Sequence, residues 1–162
     1  MDTGLEALTS DRLSSVKQFI GNEEFLVTYG DGITDANISQ EMKFHRDHGK
    51  LATLLTTRPR SRFGILEMER NGEVSRFREK PIMDDWVSSG FYIFSPEVFE
   101  LLTPDTMFED SLIPFLARDG QLHGFRHEGF WEPIDTYREL KALKEMGERG
   151  ELDWLSHRMP GK

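Results

Sequence analysis

Asp31 lies between two glycines, directly after the apolar run Phe25-Leu26-Val27-Thr28-Tyr29. A buried strand feeding a tight turn fixes such a carboxylate at the mouth of a sheet. In open α/β sheets, ligands bind beyond the carboxyl ends of the strands. Gly30 and Gly32 let a ligand approach the backbone closely. The same tripeptide also reads as a plain turn in which Asp31 bonds its own backbone, and alone it leaves both readings open. Asp135, in Phe130-Trp131-Glu132-Pro133-Ile134-Asp135-Thr136, is a second acid behind a rigid aromatic and proline approach. It reads as a ligand group or as the N-cap of a helix. Two such carboxylates are what a divalent metal carrying a nucleotide phosphate needs.

Cations accompany these acids. In Glu79-Lys80-Pro81 the proline is expected to hold Lys80 extended and to end a strand. An acid and a base at neighbouring strand positions then point to opposite faces, unless a twist or bulge intervenes. Arg58, Arg60 and Arg62 alternate along one segment. They read as a phosphate clamp, since guanidinium binds phosphate bidentately, or as a solvated loop. His45 and His48 share a helix without a third ligand nearby in sequence and read as surface residues. No Gly-x-Ser-x-Gly, Walker or Gly-x-Gly-x-x-Gly pattern occurs.

These groups need elements to position them. A helix capped by Ser10 or Asp11 carries Leu13, Val16, Phe19 and Ile20 at helical spacing and stops at Gly21. The strand over 25–29 follows, then a helix over 39–48 ending at Gly49, then a buried strand over 51–57. This order predicts a right-handed crossover and a parallel pair. Asn71-Gly72 predicts a hairpin between strands over 64–68 and 73–77. Gly90 to Phe94 reads as a short aromatic strand, and Pro96 opens a helix. A helix over 109–117 must bend at Pro114. Gln121 to His127 reads as the last strand, and Asp135 as the cap of a final helix over 137–146. Strands alternating with helices predict an α/β fold with a mixed sheet.

The 162 residues fit one domain, expected over 1–154 with a polar tail over 155–162. Hydrophobic content of 37% and charged content of 30% describe a water-soluble globule. There is no cysteine, hence no thiolate chemistry or disulfide framework. No apolar stretch reaches the ~18–20 residues of a membrane span, and no signal-peptide pattern opens the chain; a cytoplasmic location is expected. A net charge of −9 argues against nucleic-acid and anionic-membrane partners.

Order and spacing are more specific than any single motif. FLVTYGDGITDAN over 25–37, HGKLAT over 48–53, Arg62-Phe63-Gly64, FREKP over 77–81, Gly90-Phe91 and FWEPIDT over 130–136 follow one another along the chain. Together they closely resemble the glucose-1-phosphate cytidylyltransferase branch of the sugar nucleotidyltransferase family, from about Asp2 to Trp154. The resemblance implies a three-layer α/β/α nucleotide-diphospho-sugar transferase fold of Rossmann-like type. It implies CTP and glucose 1-phosphate as substrates, with CDP-glucose and pyrophosphate as products. It makes Asp31 and Asp135 the Mg²⁺-binding acids, with Asp31 and Lys80 catalytic. Glu79 then meets sugar hydroxyls, Lys80 and Arg62 meet phosphate, and Gly64 contacts the sugar through its backbone.

Two departures stand out. The family's Gly-Gly-x-Gly-Thr-Arg-Leu signature and the Lys-Pro motif after it do not occur in this sequence. The expectation is therefore a C-terminal portion that has lost its nucleotide-binding segment, a partial fold with an unpaired sheet edge along 25–29, and little activity alone. Its expected partners are a homo-oligomer or a complementing N-terminal chain. Ser88-Ser89-Gly90 replaces the usual Asn-Gly-Gly or Asn-Ala-Gly, which removes one amide contact. The alternatives at this stage are a non-catalytic sugar-phosphate-binding module and a relative that uses UTP or dTTP.

Overall fold

The computed structural model describes residues 2–153; the tail expected over 155–162 lies outside the described residues. In chain order the elements are α1 Thr9–Ile20, β1 Phe25–Thr28, β2 Gly32–Thr34, α2 Ile38–His48, β3 Ala52–Thr57, β4 Ile65–Met68 and β5 Val74–Arg78. They continue with β6 Val87–Phe94, a 3-10 helix Pro96–Leu101, α3 Leu112–Arg118, β7 Leu122–Arg126, β8 Trp131–Pro133 and α4 Tyr137–Glu148. The α/β class and the mixed sheet agree with the sequence pattern. The chain divides into two compact units.

The first unit comprises Met1–Gly30, Asn37–Leu55 and Gly90–Phe125. Its strands belong to a four-stranded sheet ordered β1-β6-β3-β7. The expected pairing of β1 with β3 is corrected, because β6 lies between them and runs antiparallel to β1, Phe25 facing Phe94 and Thr28 facing Phe91. The physical reason is burial on both faces. β6 and β3 are the most completely buried strands, so they take the centre, while β1 buries alternate residues and sits at an edge. The core is aromatic. Phe25 stacks on Phe99 with ring centroids 4.9 Å apart, and Phe108 meets the edges of Tyr92 and Phe94 at 5.2 and 5.9 Å.

Helix ends explain several boundaries. Asn37 Oδ1 accepts the Gln40 N–H at 3.2 Å and opens α2, and Gly49 closes it in the left-handed region at φ 62°. Neither Ser10 nor Asp11 caps α1. Ser10 is buried inside the helix, its N–H directed to the Thr106 carbonyl at 3.2 Å, and Leu8 holds the cap position. Pro114 does not bend α3, because it is the third residue of that helix, where its missing N–H has no intrahelical partner to lose.

The second unit comprises Asp31–Ala36, Thr56–Ser89 and Arg126–Lys162. It holds two small antiparallel ladders and α4. β4 and β5 form the hairpin expected around Asn71-Gly72, with a bulge between Glu67 and Met68. β2 pairs with β8, Gly32 facing Pro133 and Thr34 facing Trp131. Both are three-residue strands that carry no periodic signal, and β8 corrects the expectation that 121–127 is the last strand. Arg60 bridges Ile82, and the Ser61 N–H donates to the Pro81 carbonyl at 2.8 Å.

Candidate functional site

The β2–β8 ladder brings the two acids near each other in the backbone, with Asp31 opposite Ile134, one residue before Asp135. Asp31 precedes β2 and Asp135 follows β8 by one further residue. The Ile134 N–H donates to the Asp31 carbonyl at 2.7 Å, so the ladder continues past its last paired residues. Behind it, Asp35 accepts the Phe130 N–H at 2.8 Å and meets His127 Nε2 at 2.9 Å. The Trp131 indole N–H donates to the Ser89 carbonyl at 3.0 Å. These bonds fix 130–134 without using either acid, and Asp31 and Asp135 are both exposed.

Asp135 is not the cap of α4. Thr136 is, in a reciprocal box with Glu139. The Glu139 N–H donates to Thr136 Oγ1 at 3.3 Å, and Glu139 Oε2 accepts the N–H groups of Thr136 at 2.8 Å and Asp135 at 2.9 Å. The sequence carried this signal as Thr-x-x-Glu. Freed from capping, the Asp135 carboxylate meets Arg62, whose Nη2 lies 3.2 Å from Asp135 Oδ2 and 2.8 Å from Glu139 Oε1. Desolvation works against the charge on Glu139. The bonds from Thr136, the Asp135 N–H and Arg62 outweigh it, so Glu139 titrates below the ordinary glutamate value. Glu132 goes the other way, pushed up by burial and by the nearby Glu139, with Arg62 opposing.

Lys80 is not extended. Its φ is 42°, in the left-handed region that only glycine enters freely. This corrects the reading of Pro81 as holding it in a strand: β5 ends at Arg78, and the backbone reverses hand at Lys80. The reversal supplies the twist that lets acid and base share a side, and Lys80 Nζ lies 3.9 Å from Glu79 Oε1. Gly64 is needed where it is. A Cβ there would sit 2.6 Å from the Phe77 ring and 3.3 Å from Glu79 Oε2. Gly64, Glu79 and Lys80 are thus neighbours across the start of the β4–β5 hairpin.

The three arginines separate. Arg58 pairs with Glu128 at 3.3 Å and lies over the Trp86 ring at 5.1 Å. Arg62 is held by two carboxylates. Arg60 has no ion pair among the described residues. All three line a cavity of about 920 Å³ together with Phe130, Trp131 and Glu132. A smaller cavity of about 550 Å³ is lined by Arg62, Phe63, Lys80, Thr136, Arg138 and Glu139. Of these, Phe63, Thr136, Arg138 and Glu139 were not singled out by sequence reasoning.

His45 and His48 are not simple surface residues. In the first unit, His45 is buried, with Nδ1 2.9 Å from Thr53 Oγ1 and Nε2 3.1 Å from Ser95 Oγ. His48 Nε2 lies 2.8 Å from Thr53 Oγ1, and its ring is 4.4 Å from that of His123. Burial, then the neighbouring histidines, push His48 down to about 4. Glu41, one turn before His45, is fully buried with neither carboxylate oxygen hydrogen-bonded among the described residues. Burial raises it to about 7.

Among the described residues, no group of three or more histidines and acids is gathered to hold a metal. Asp31 and Asp135 are by type a donor set that a divalent cation such as Mg²⁺ takes, with water and substrate phosphates filling its other positions. That Asp135 already holds a guanidinium shows a place where positive charge is favourable. No helix among the described residues is long and apolar enough to cross a membrane.

The family model described as "Nucleotidyl transferase" matches residues 8–144. The glucose-1-phosphate cytidylyltransferase of Salmonella typhimurium is 41% identical over 157 residues, covering 95% of this chain and 61% of that protein. Mannose-1-phosphate guanyltransferase beta-A of Xenopus laevis is 31% identical over 150 residues, covering 86% of this chain and 41% of that protein. The crystal structure of HddC from Yersinia pseudotuberculosis superposes with a TM-score of 0.64 at 17% identity, over 86% of this chain and 62% of that one. The chain thus spans about three fifths of the cytidylyltransferase it matches. The expectation of a C-terminal portion that lacks the N-terminal Gly-rich nucleotide-binding segment is corrected: the family's own model matches residues 8–144, almost the whole chain.

Proposed function

We propose, from the premise that this chain belongs to the nucleotidyl transferase family, that it transfers a nucleotidyl group to a sugar 1-phosphate. The finer reading is CTP and glucose 1-phosphate giving CDP-glucose and pyrophosphate. It draws on the sequence motifs and on the similarity to the Salmonella cytidylyltransferase. The observation that supports it is that Asp31, Asp135, Arg62, Gly64, Glu79 and Lys80 all belong to one compact unit, in which Arg62 pairs with Asp135 and Glu79 lies beside Gly64 and Lys80.

The chemistry asks for positioning and charge neutralisation rather than a protein nucleophile. An oxygen of the sugar phosphate forms a bond to the α-phosphorus as the bond to pyrophosphate breaks. Asp31 and Asp135 would hold Mg²⁺, which supplies charge neutralisation on the nucleotide phosphates. Glu79 accepts hydrogen bonds from sugar hydroxyls. Gly64 lets the sugar reach the backbone. Lys80 places a mobile cation at the sugar phosphate. Arg62, which pairs with Asp135, would offer its guanidinium to phosphate.

A panel of CTP, UTP, dTTP and GTP against glucose 1-phosphate and mannose 1-phosphate, read by Mg²⁺-dependent pyrophosphate release, tests this. Turnover with CTP and glucose 1-phosphate above every other pair is expected. Turnover only with another nucleotide overturns the cytidylyl reading, and no turnover with any pair overturns the reaction.

A further inference from the structure

The 550 Å³ cavity is built by three separate segments: the loop at Arg62 and Phe63, the end of the hairpin at Lys80, and the start of α4 at Thr136, Arg138 and Glu139. Three of its six lining residues are cations and one is an acid. Glu139 is fully engaged, accepting from Arg62 and from the N–H groups of Asp135 and Thr136. Arg62 is engaged by Asp135 and Glu139. Lys80 has only a loose contact with Glu79 at 3.9 Å. Arg138 has no ion pair among the described residues. The cavity therefore presents two solvent-exposed cations, Lys80 and Arg138, that no carboxylate holds closely among the described residues.

Neither cation is placed for stability. Lys80 holds a left-handed backbone that disfavours non-glycine residues by ~1–2 kcal/mol. Arg138 is the second residue of α4, and a cation in the first turn of a helix opposes the helix dipole. Two cations from different elements, each locally unfavourable, line one cavity beside an engaged acid. A doubly charged phosphate group satisfies both.

We propose that Arg138 is a substrate-binding residue that, with Lys80, grips the phosphate group of the sugar 1-phosphate. This rests on the reaction proposed above and adds a residue to it. A guanidinium can take two phosphate oxygens at once, leaving the third for the attack on the nucleotide.

Calorimetry on the full chain, with glucose 1-phosphate and inorganic phosphate as probes, tests the assignment. The variants are Arg138→Gln and Lys141→Gln, the latter a cation of the same helix paired with Glu145 at 3.8 Å. Arg138→Gln is expected to weaken both probes by about 10- to 100-fold, the range of a charged hydrogen bond, without lowering the melting temperature. Lys141→Gln is expected to leave both unchanged. Wild-type affinity in Arg138→Gln, an equal loss in Lys141→Gln, or no binding of either probe by the wild type overturns the inference. The two readings fail separately. Arg138-dependent phosphate binding in a protein that turns over no nucleotide keeps this inference and removes the reaction. Turnover with a sugar-phosphate KM indifferent to Arg138 does the reverse.

Discussion

The two units differ in what they bury. The first holds twelve of the fourteen hydrophobic residues buried among the described residues, including Phe94, Ile93, Leu55 and Leu116, all inaccessible to solvent. The second buries only Ala36 and Leu152 of that set; both units expose large apolar side chains, Phe19 and Leu26 among them in the first and Phe63 and Phe77 in the second. Its order comes from short ladders, a capping box and ion pairs. Exposed ion pairs contribute little to stability, so the second unit's charged groups are held in place cheaply and can be re-paired cheaply. The contrast is between a close-packed unit and a charge-rich one, whose exposed ion pairs a phosphate ligand is proposed to exchange.

The sharpest way to break this contrast is to truncate an aromatic in each unit. Phe94→Ala should lose about 3–5 kcal/mol of unfolding free energy, whereas Phe63→Ala, 74% exposed, should stay within about 0.5 kcal/mol. Urea denaturation of both variants reads the difference, and equal losses would erase it.

Next comes the buried Glu41. Its folded value is about 7 against an ordinary 4.5, so the folded state holds the proton more tightly and stability falls as pH rises from about 4.5 to about 7. His48, lowered to about 4 from 6.5, acts oppositely: its stabilising contribution is present above 6.5 and is lost as pH falls toward 4. The two slopes oppose where they overlap, and above pH 6.5 the decline due to Glu41 stands nearly alone. Glu41→Gln should remove a decline of about 2–3 kcal/mol between pH 5 and pH 8. Chemical denaturation at both pH values measures it; an unchanged pH dependence would show that Glu41 is not desolvated in this way.

Lys80 tests the charge-rich unit by trading stability for binding. Lys80→Gly relieves the left-handed strain and should gain about 1 kcal/mol, while weakening glucose 1-phosphate more than about tenfold with little change for CTP. Equal losses for both ligands would contradict a sugar-side role. The smallest effect belongs to the cap: Thr136→Ala should cost about 1 kcal/mol. Thermal melting checks it, and a null shift would mean α4 is held by its packing alone.

The same contrast explains what the sequence disclosed. Periodic, buried elements were legible: the strand read over 25–29 is Phe25–Thr28, the helix does end at Gly49, and the strand read over 51–57 is Ala52–Thr57. Sheet order was not, because local pattern does not say that β6 separates β1 from β3. β6 itself was read as starting at Gly90. That glycine sits inside the strand at φ 80°, where an added Cβ would lie 2.9 Å from the Tyr29 ring. In the second unit the motif residues were legible as types, but their arrangement depends on three-residue strands and one unusual backbone angle at Lys80. Arg138 and Glu139 carried no signal beyond the Thr-x-x-Glu spacing, since a charged residue in a helix ordinarily reads as a solvated face.

Asp31 and Asp135 are proposed to hold one metal in the second unit. Mn²⁺ binding in the presence of CTP, followed by electron paramagnetic resonance, measures this in wild type, Asp31→Asn, Asp135→Asn and the double variant. If both acids hold one ion, each single variant should lose about as much affinity as the double, because groups that act as a unit are not additive. Wild-type Mn²⁺ affinity in either single variant, or losses that simply add, would contradict the account.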